Sequence, residues 1–342
     1  MATLMLEAQH EPVSEAAPRA LDVSILIVTW NSERWIEGCL RSIPAACEGL
    51  RYEVVVHDNA SGDATLAKID AIGSEDDAGL NVIRSNANDG FAAGTNEAFA
   101  RSRGRFVFLL NPDCELEPRA LTTLLEFLRE REEIAAAAPL LIDDEGDLQR
   151  EFQLRRLPTL RTLIAEVLLA HKIFPKNNTT ARYRYRDLDL THPRRIEQPA
   201  AAALLLRRDA VEEIGPFDEQ FAPAWFEDVD YCRRLAAAGK EVWIVPAAKA
   251  RHHGGSSLEH LQFGRFVDVW YRNMWLYARK WLRPAQAEAL RWVIIAGMLL
   301  RCGAGLAGLN PEGVGRREAC RAYAGVLRKA FDRWDSSSPS SS

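Results

Sequence analysis

The chain has 342 residues, of which 47% are hydrophobic and 27% are charged, and this globular composition excludes an intrinsically disordered protein. The length allows one large core or two modest ones. The net charge of -5, from 43 Lys and Arg against 48 Asp and Glu, gives no general reason to expect nucleic acid as a partner.

The two ends of the chain predict disordered tails, and the cysteines indicate a cellular compartment. Residues 1–21 contain several acids and lack the basic start and apolar run of a signal peptide, and residues 335–342 are mostly serine. Both segments are predicted to be disordered tails. The six cysteines form no C-x-x-C pair and most lie in apolar segments, so they are interpreted as reduced thiols of a cytosolic protein.

Strands and helices alternate through the first third of the chain. Val23–Thr29 is a β-branched run typical of a strand buried on both faces of a parallel sheet, and the apolar runs at 54–56 and 106–110 alternate with helical patterns. The alternation predicts an α/β doubly wound sheet. Such sheets bind ligands beyond the carboxyl ends of their strands, so the polar residues at 57–59 and 111–113 are predicted to share a site.

The rest of the chain predicts further helices and a last strand. The first helix is expected to end before Pro44, because proline interrupts a helix. Further elements are predicted at 64–72 (helix), 118–131 (helix), 242–245 (strand), 249–257 (polar loop) and 261–282 (helix). The basic, irregular residues 150–196 predict either a solvated insertion or a lid or acceptor surface that faces phosphate, with Arg155 and Arg156 as candidate contacts.

Two features have a structural and a functional interpretation. Residues 88–96 place two glycines at a helix start, which favours phosphate, but they lack G-x-G-x-x-G, and a strand-to-helix turn explains them as well. His57 follows three valines and is interpreted as a satisfied buried imidazole rather than a catalyst.

Three carboxylates in four positions, Glu227, Asp228 and Asp230, open a helix directly behind Trp225 and Phe226. One interpretation is that these acids complement the positive end of the helix dipole. The other is that one acid is held at the mouth of a cleft as a general base, with the aromatic side chains as its wall.

Oxygen and imidazole ligands lie at the ends of several elements. They are Asp113, the carboxylates around Asp228, and the histidines after the last strand. Such ligands suit Mg²⁺ or Mn²⁺ bound beside substrate phosphates. A single Asp or His is usually structural, so this prediction depends on their occurrence together.

Six segments in chain order resemble the motifs of family 2 glycosyltransferases of the rhamnosyltransferase type: Val23–Asn31, Val54–Ser61, Asn88–Phe91, Leu110–Asp113, Phe217–Phe221 and Phe226–Asp230. The resemblance covers about residues 22 to 280. It implies a GT-A fold with a Rossmann-like nucleotide-sugar-binding sheet over residues 22–258. It also implies a nucleotide-sugar donor, a divalent metal and inversion at the anomeric carbon.

The resemblance also assigns roles to residues. Asp58 would contact the pyrimidine base, Asp113 would hold the metal on the donor diphosphate, and Asp228 would deprotonate the acceptor hydroxyl. His252 matches the histidine that closes the metal site, and Asn111 stands at the first position of the D-x-D motif. The full donor-binding set is Thr29, Asn31, Asp58, Asn88, Gly90, Asn111 and Asp113, and the acceptor or lid candidates are Trp225, Glu227, Arg155 and Arg156.

The implied reaction belongs to cell-envelope polysaccharide synthesis. The expected donor is dTDP-rhamnose, followed by UDP-sugars, and the expected acceptor is a glycan or polyprenyl-linked glycan. A dinucleotide-dependent oxidoreductase is disfavoured because G-x-G-x-x-G does not follow the first strand. A non-catalytic carbohydrate-binding protein is disfavoured by the intact Asp113, Asp228 and His252.

Residues 259–334 are predicted to form a helical C-terminal region. Its apolar run, Trp292–Leu300, is too short to cross a bilayer, which needs about 20 residues, but it can lie in the interface. We therefore expect peripheral association with the cytoplasmic face of the plasma membrane. The alternative is that these helices only close the domain or form a homodimer contact.

Overall fold

The computed structural model describes residues 21–75, 79–254, 262–306, 309, 311 and 313–334. The tails predicted at 1–21 and 335–342 lie outside the described residues, except for residue 21. Residues 255–257 of the predicted polar loop also lie outside them.

A mixed β-sheet forms the centre of the molecule. Its strands are β1 (Val23–Thr29), β2 (Tyr52–Asp58), β3 (Leu80–Arg84), β4 (Phe106–Leu110), β5 (Cys114–Leu116), β6 (Ile134–Ile142), β8 (Arg194–Ile196), β10 (Ala203–Arg207) and β11 (Glu241–His252). The order is β3-β2-β1-β4-β10-β6-β11-β5, with β8 also paired to β11. Strands β1 to β4 are mutually parallel, whereas β10 runs antiparallel to β4 and β6. Two short strands, β7 (Leu154–Arg155) and β9 (Gln198–Pro199), pair separately.

Helices cover both faces of the sheet and extend beyond it. They are α1 (Ile36–Ala46), α2 (Thr65–Glu75), α3 (Phe91–Ala100), α4 (Ala120–Arg129), α5 (Arg150–Gln153), α6 (Leu160–Val167), α7 (Ala170–Ile173), α8 (Asn178–Tyr183), α9 (Arg208–Ile214), α10 (Glu227–Ala237), α11 (Phe263–Trp281), α12 (Pro284–Leu306) and α13 (Arg316–Phe331). The predicted α/β sheet is confirmed.

Two boundaries differ from the sequence predictions. Helix α1 continues through Pro44 to Ala46, because the proline lies exposed in the last turn and removes only one backbone hydrogen bond. Strand β11 extends to His252, so the loop predicted from residue 249 is wrong for its first four residues. Residues 249–252 continue the strand because they pair with β5 and β6.

The apolar side chains form three clusters. Two lie on opposite faces of the sheet, with Ile25 in one and Leu26 in the other, as the alternation of a strand requires. The third joins α11, α12 and α13 to α6 and to the start of α10, where Phe226, directly before the helix, and Val229 in its first turn contribute. The C-terminal helices therefore share a core with the acidic segment.

Among the described helices, α12 is one that is long and apolar enough to cross a membrane by length and composition. It has 23 residues, more than the apolar run Trp292–Leu300 on which the sequence argument against a span depended. One of its faces, including Leu290, Ile294 and Met298, packs into the third cluster.

Candidate active site

A cleft of about 430 Å³ opens at the carboxyl ends of β1 and β4. Its size is in the usual range for small-molecule sites. Ten predicted site residues line it: Thr29, Asn88, Gly90, Asn111, Asp113, Arg155, Trp225, Glu227, Asp228 and His252. The cleft thus brings together residues from positions 29 to 252 of the chain.

Asp58 and Asn31 lie beside the cleft and order the turn that follows β2. Asp58 is fully buried, and its carboxylate accepts hydrogen bonds from the Thr29 hydroxyl at 2.9 Å and from the Ser61 hydroxyl at 2.6 Å. The Asn31 side-chain oxygen accepts a hydrogen bond from the Gly62 amide at 2.8 Å. Neither residue is part of the cleft lining.

The Gly90 turn touches the segment that carries the acids. Gly90 has φ 92, and a Cβ there would lie 2.6 Å from the Pro223 carbonyl oxygen, so only glycine fits. The Phe91 amide donates to that same oxygen at 2.8 Å. Asn59, which lines the cleft, donates its side-chain amide to the Gly90 carbonyl at 3.2 Å.

His57 is buried beneath α3, as predicted, but it is not hydrogen-bonded. A Cβ at Gly94 would lie 2.9 Å from the ring, so this glycine permits close packing of α3 on the sheet. Neither ring nitrogen has a hydrogen-bond partner among the described residues; the nearest acid is Glu97, 3.5 Å from Nδ1. Burial lowers the pKa of His57 and keeps the imidazole neutral.

Asp113 and His252 form a pair that fits a divalent cation. Antiparallel pairing of β5 with β11 places His252 Nε2 3.6 Å from Asp113 Oδ2. Asp113 Oδ1 is buried and lacks a hydrogen-bond partner among the described residues, as expected for an oxygen that has a ligand to bind. An oxygen and an imidazole nitrogen suit Mg²⁺ or Mn²⁺.

The neighbouring Cys114 lies close enough to be a third ligand but does not fit that role. Its thiol is fully buried, donates to the Ala202 carbonyl at 3.4 Å, and belongs to the core beneath the sheet. Burial raises the pKa of Cys114, and thiolate sulfur is a poor ligand for hard cations.

The segment before α10 has an unusual backbone that a distant asparagine supports. Trp225 and Phe226 have φ of 71 and 74, a region that side chains rarely adopt. The buried Asn273 of α11 donates its side-chain amide to the carbonyls of Phe221 at 2.6 Å, Ala224 at 2.9 Å and Trp225 at 3.0 Å. Sequence analysis missed Asn273, whose only signal is a polar residue on the apolar face of a helix.

The three acids of α10 occupy different environments. Asp230 is fully buried and pairs with Lys280, Arg234 and Trp281, so its role is structural. Glu227 is buried with one oxygen unpaired among the described residues. Burial, together with the charge of Asp228, raises the pKa of Glu227, which favours its neutral form.

Asp228 is the acid of α10 whose carboxylate accepts a hydrogen bond from another cleft residue. It accepts hydrogen bonds from the Gln198 side chain at 3.2 Å and from the Val229 amide at 2.7 Å. Burial raises the pKa of Asp228, while hydrogen bonds to backbone amides and the charge of Arg155 oppose the rise. Gln198, also a cleft residue, was not predicted from the sequence.

An aromatic wall stands beside the acids. Trp225 packs edge-on against Phe266, with ring centroids 5.0 Å apart, and Phe226 packs against Trp270 at 5.3 Å. Phe266 and Trp270 belong to α11, so the predicted C-terminal region forms part of the cleft lining. The interleaved aromatic residues of α11 were visible in the sequence, but their contact with the acidic segment depends on the tertiary fold.

Comparison with known proteins identifies the family. Residues 24–215, more than half of the chain, match the family described as Glycosyl transferase family 2. The chain belongs to this family. The resemblance to rhamnosyltransferases noted in the sequence is therefore confirmed at the level of the family.

Two curated relatives of this glycosyltransferase are named for rhamnosyl transfer. The chain is 27% identical over 245 residues to N-acetylglucosaminyl-diphospho-decaprenol L-rhamnosyltransferase of Mycobacterium tuberculosis, covering 68% of this chain and 76% of that protein. It is 26% identical over 238 residues to Rhamnosyltransferase WbbL of Escherichia coli, covering 68% of this chain and 83% of that protein.

A solved structure shares the fold of the glycosyltransferase. The mannosyltransferase PcManGT from Pyrobaculum calidifontis, solved in complex with GDP-Man and Mn²⁺, superposes with a TM-score of 0.53 at 17% identity. The match covers 94% of this chain and 91% of that protein. This likeness supports the predicted GT-A architecture.

The two arginines predicted as lid contacts of the glycosyltransferase differ in position. Arg155 lines the cleft and donates to the Phe152 carbonyl at 2.6 Å. Arg156 pairs with Glu197 at 2.9 Å, lies over the Tyr185 ring at 4.4 Å, and is not part of the cleft lining. Of these two arginines, Arg155 is thus the one placed to meet a ligand.

Proposed function

We propose that this family 2 glycosyltransferase is an inverting rhamnosyltransferase that moves L-rhamnose from dTDP-rhamnose to a lipid-linked glycan in cell-envelope polysaccharide synthesis. The observation that supports it best is the content of one cleft. The proposed metal ligands Asp113 and His252 and the half-buried carboxylate of Asp228 line the same cleft. Glycosyl transfer needs charge stabilisation at the leaving diphosphate and a base at the acceptor hydroxyl.

In this proposal the acids have separate tasks. Asp113 and His252 would hold Mg²⁺ or Mn²⁺, and the ion would supply positive charge beside the departing nucleoside diphosphate. Asp228 accepts the proton of the acceptor hydroxyl as the hydroxyl oxygen attacks the anomeric carbon from the face opposite the leaving group. Gln198 orients Asp228 through its 3.2 Å hydrogen bond, and Glu227, whose raised pKa favours the neutral acid, adds no second charge beside the base.

The donor side is proposed to be built by residues of the 22–258 domain. Thr29, Asn88 and Asn111 line the cleft wall, where they would contact the nucleotide and its ribose. Asp58 and Asn31 would act by ordering the turn after β2. Support for rhamnose as the sugar comes from the names of the relatives in Mycobacterium tuberculosis and Escherichia coli.

The acceptor is proposed to be a polyprenyl-linked glycan. The relative in Mycobacterium tuberculosis is named for a diphospho-decaprenol acceptor. Trp225, Phe266 and Trp270 offer ring faces and edges on which sugar rings pack, and Arg155 can meet an anionic group of the acceptor. Residues 259–334 would then serve both the acceptor wall and the approach to the membrane.

The outer face of α12 supports peripheral contact with a membrane, which we propose to be the cytoplasmic face of the plasma membrane. Its exposed positions recur at helical spacing, and none is charged: Ala285, Ala289, Trp292, Ala296, Leu299, Leu300, Gly303 and Leu306. We call this set the α12 stripe. Trp292 is 53% exposed and Leu300 68% exposed, which is costly in water. Exposed arginines of α13, among them Arg317 and Arg328, suit anionic headgroups.

A thermal-shift panel tests the donor and the metal. The protein is heated with dTDP-rhamnose, UDP-glucose or UDP-N-acetylglucosamine, each with and without Mn²⁺, because a ligand of the folded state raises the melting temperature. We expect dTDP-rhamnose with Mn²⁺ to give the largest shift and Asp113→Ala to remove it. A larger shift with a UDP-sugar would indicate that this UDP-sugar, and not dTDP-rhamnose, is the donor. Donor hydrolysis is measured separately, and its absence would favour a non-catalytic carbohydrate-binding protein.

A further inference from the structure

His252 makes two contacts with a single side chain, that of Gln149. The Gln149 amide nitrogen, Nε2, donates to the His252 carbonyl oxygen at 2.6 Å. The amide oxygen, Oε1, faces the His252 ring nitrogen Nδ1 at 2.8 Å. Gln149 immediately precedes α5, and its own backbone amide donates to the Leu141 carbonyl at 2.9 Å, which anchors it to β6.

These two contacts together fix where the hydrogens lie. A carbonyl oxygen can only accept, so the nitrogen of the Gln149 amide must face the His252 carbonyl. The amide oxygen then faces Nδ1, and because that oxygen also only accepts, Nδ1 must carry a hydrogen. The reverse amide orientation would set two oxygens against each other at 2.6 Å.

The opposite nitrogen of the His252 ring, Nε2, faces the Asp113 carboxylate. In a neutral imidazole with hydrogen on Nδ1, Nε2 bears the lone pair, and here Nε2 lies 3.6 Å from Asp113 Oδ2. The Phe152 ring stacks on the imidazole at 4.6 Å with an interplanar angle of 17°, which restricts rotation of the ring. Gln149 and Phe152 thus hold the ring from two sides.

We propose that Gln149 is a positioning residue that holds His252 in the Nδ1–H tautomer, so that Nε2 is free to bind the divalent cation beside Asp113. The inference rests on the proposed metal site and adds a residue that supports it. Partners of the far nitrogen of a metal-binding histidine commonly change metal affinity by about 10-fold to 100-fold. Because Gln149 immediately precedes the predicted insertion at 150–196, the inference also links the start of that segment to the metal.

The tautomer is read directly by NMR of ¹⁵N-histidine-labelled protein without metal, at pH 8, above the ordinary histidine pKa of about 6.5. Long-range ¹H–¹⁵N correlation distinguishes a protonated from an unprotonated ring nitrogen, and His252→Ala assigns the signal among the seven histidines. We expect hydrogen on Nδ1 alone in the wild type. Hydrogen on Nε2 would overturn the inference whether or not the protein binds metal.

Metal binding gives the second measurement. Gln149→Leu, of similar size, should weaken Mn²⁺ affinity in calorimetry by about tenfold or more and reduce the ¹⁴N coupling of bound Mn²⁺ in electron spin-echo spectra. Gln153→Leu is the control, because the Gln153 side chain likewise makes two hydrogen bonds, here with the Leu141 amide and the Pro139 carbonyl, and neither involves His252. Its Mn²⁺ affinity should stay near that of the wild type.

Failure of the proposed metal site and failure of the Gln149 role give different patterns of Mn²⁺ affinity. If the wild type and Asp113→Ala bind Mn²⁺ equally weakly, the proposed metal site is wrong. If the wild type binds Mn²⁺ through Asp113 but Gln149→Leu binds as tightly as Gln153→Leu, the role given to Gln149 is wrong. Urea unfolding of each variant shows whether a loss of affinity reflects loss of the fold.

Discussion

The Trp281 indole nitrogen donates a 2.7 Å hydrogen bond to Oδ1 of the fully buried Asp230. This contact ties the last turn of α11 to the first turn of α10, two residues after Asp228. Lys280 and Arg234 complete the environment of the carboxylate. The C-terminal helix therefore fixes the position of the helix that carries the proposed base.

A double-mutant cycle on this pair measures its strength. Trp281→Phe and Asp230→Asn should each lower the free energy of unfolding, and together they should lower it by about 1–2 kcal/mol less than the sum, because hydrogen bonds to charged groups are worth about 1.5–3 kcal/mol. Urea unfolding gives the values. Trp292→Phe, on the exposed α12 stripe, should change stability by no more than about 0.5 kcal/mol. Strict additivity would mean that the contact contributes nothing.

The pH dependence of stability tests the buried Glu227. Burial and the charge of Asp228 raise the pKa of Glu227 in the folded state, so the folded protein binds more protons than the unfolded chain above the ordinary value of about 4.3. Stability is then lost as pH rises from that value through the folded pKa. Glu227→Gln removes this loss, so the variant should be more stable than the wild type at pH 8 and equal to it below pH 4.

A surface acid supplies the control for that comparison. Glu133→Gln alters an exposed residue and should change stability by no more than about 0.5 kcal/mol at every pH. The measurement is urea unfolding from pH 4 to pH 8. If Glu227→Gln is less stable than the wild type at pH 8, Glu227 is ionised in the folded protein and the proposed neutral role is wrong.

Local pattern in the sequence predicted the elements but not the side chains that fix the site. The β-branched run of β1 and the helical spacing in α11 are local properties, so both elements were predictable. Gln149 and Asn273 act on backbone 103 and 48 residues away, and no local periodicity encodes such a contact. The same limit explains the extra length of β11, which follows from pairing with β5.

Substitution of Asp228 tests the proposed base. Asp228→Asn should keep donor binding while turnover falls by about a hundredfold or more, since general-base catalysis contributes about 10²- to 10⁴-fold. Glu227→Gln should lower turnover by less than about tenfold. Because burial raises the pKa of Asp228, wild-type turnover should fall as pH drops through a value above the ordinary aspartate pKa of about 3.9.

Steady-state kinetics and donor affinity are measured on the same preparations. Near-normal turnover of Asp228→Asn would remove Asp228 from the role and direct attention to Glu227. Loss of donor binding together with turnover would show that Asp228 serves the donor side of the cleft instead.

Asn273 should be needed for transfer more than for donor binding. Asn273→Leu removes the donor shared by the buried carbonyl of Phe221 and the partly buried carbonyls of Ala224 and Trp225, and it should lower the free energy of unfolding by about 2–3 kcal/mol. It should also relax the segment that carries Trp225, so transfer to acceptor falls while donor affinity persists. Asn81→Leu, on the exposed side of β3, is the control and should change neither property. Equal loss of donor binding and transfer would contradict this division.

The α12 stripe should bind anionic membranes. Removal of the C-terminal helices is a poor test, because Leu290, Ile294 and Met298 lie in the core shared with α10. The triple variant Trp292→Gln, Leu299→Gln, Leu300→Gln changes only exposed side chains, and Leu148→Gln changes an exposed leucine elsewhere. In co-sedimentation with anionic liposomes, the wild type and Leu148→Gln should bind and the triple variant should not.

The salt dependence and the oligomeric state separate the explanations of the same stripe. Binding should weaken as salt rises, since attraction of basic residues to anionic lipid is screened over about 8 Å at physiological ionic strength. Light scattering on the same proteins reports the mass. If the wild type is a dimer, the triple variant is a monomer and the wild type does not bind liposomes at low salt, the stripe is a contact between two copies of the chain. The acceptor would then need no membrane.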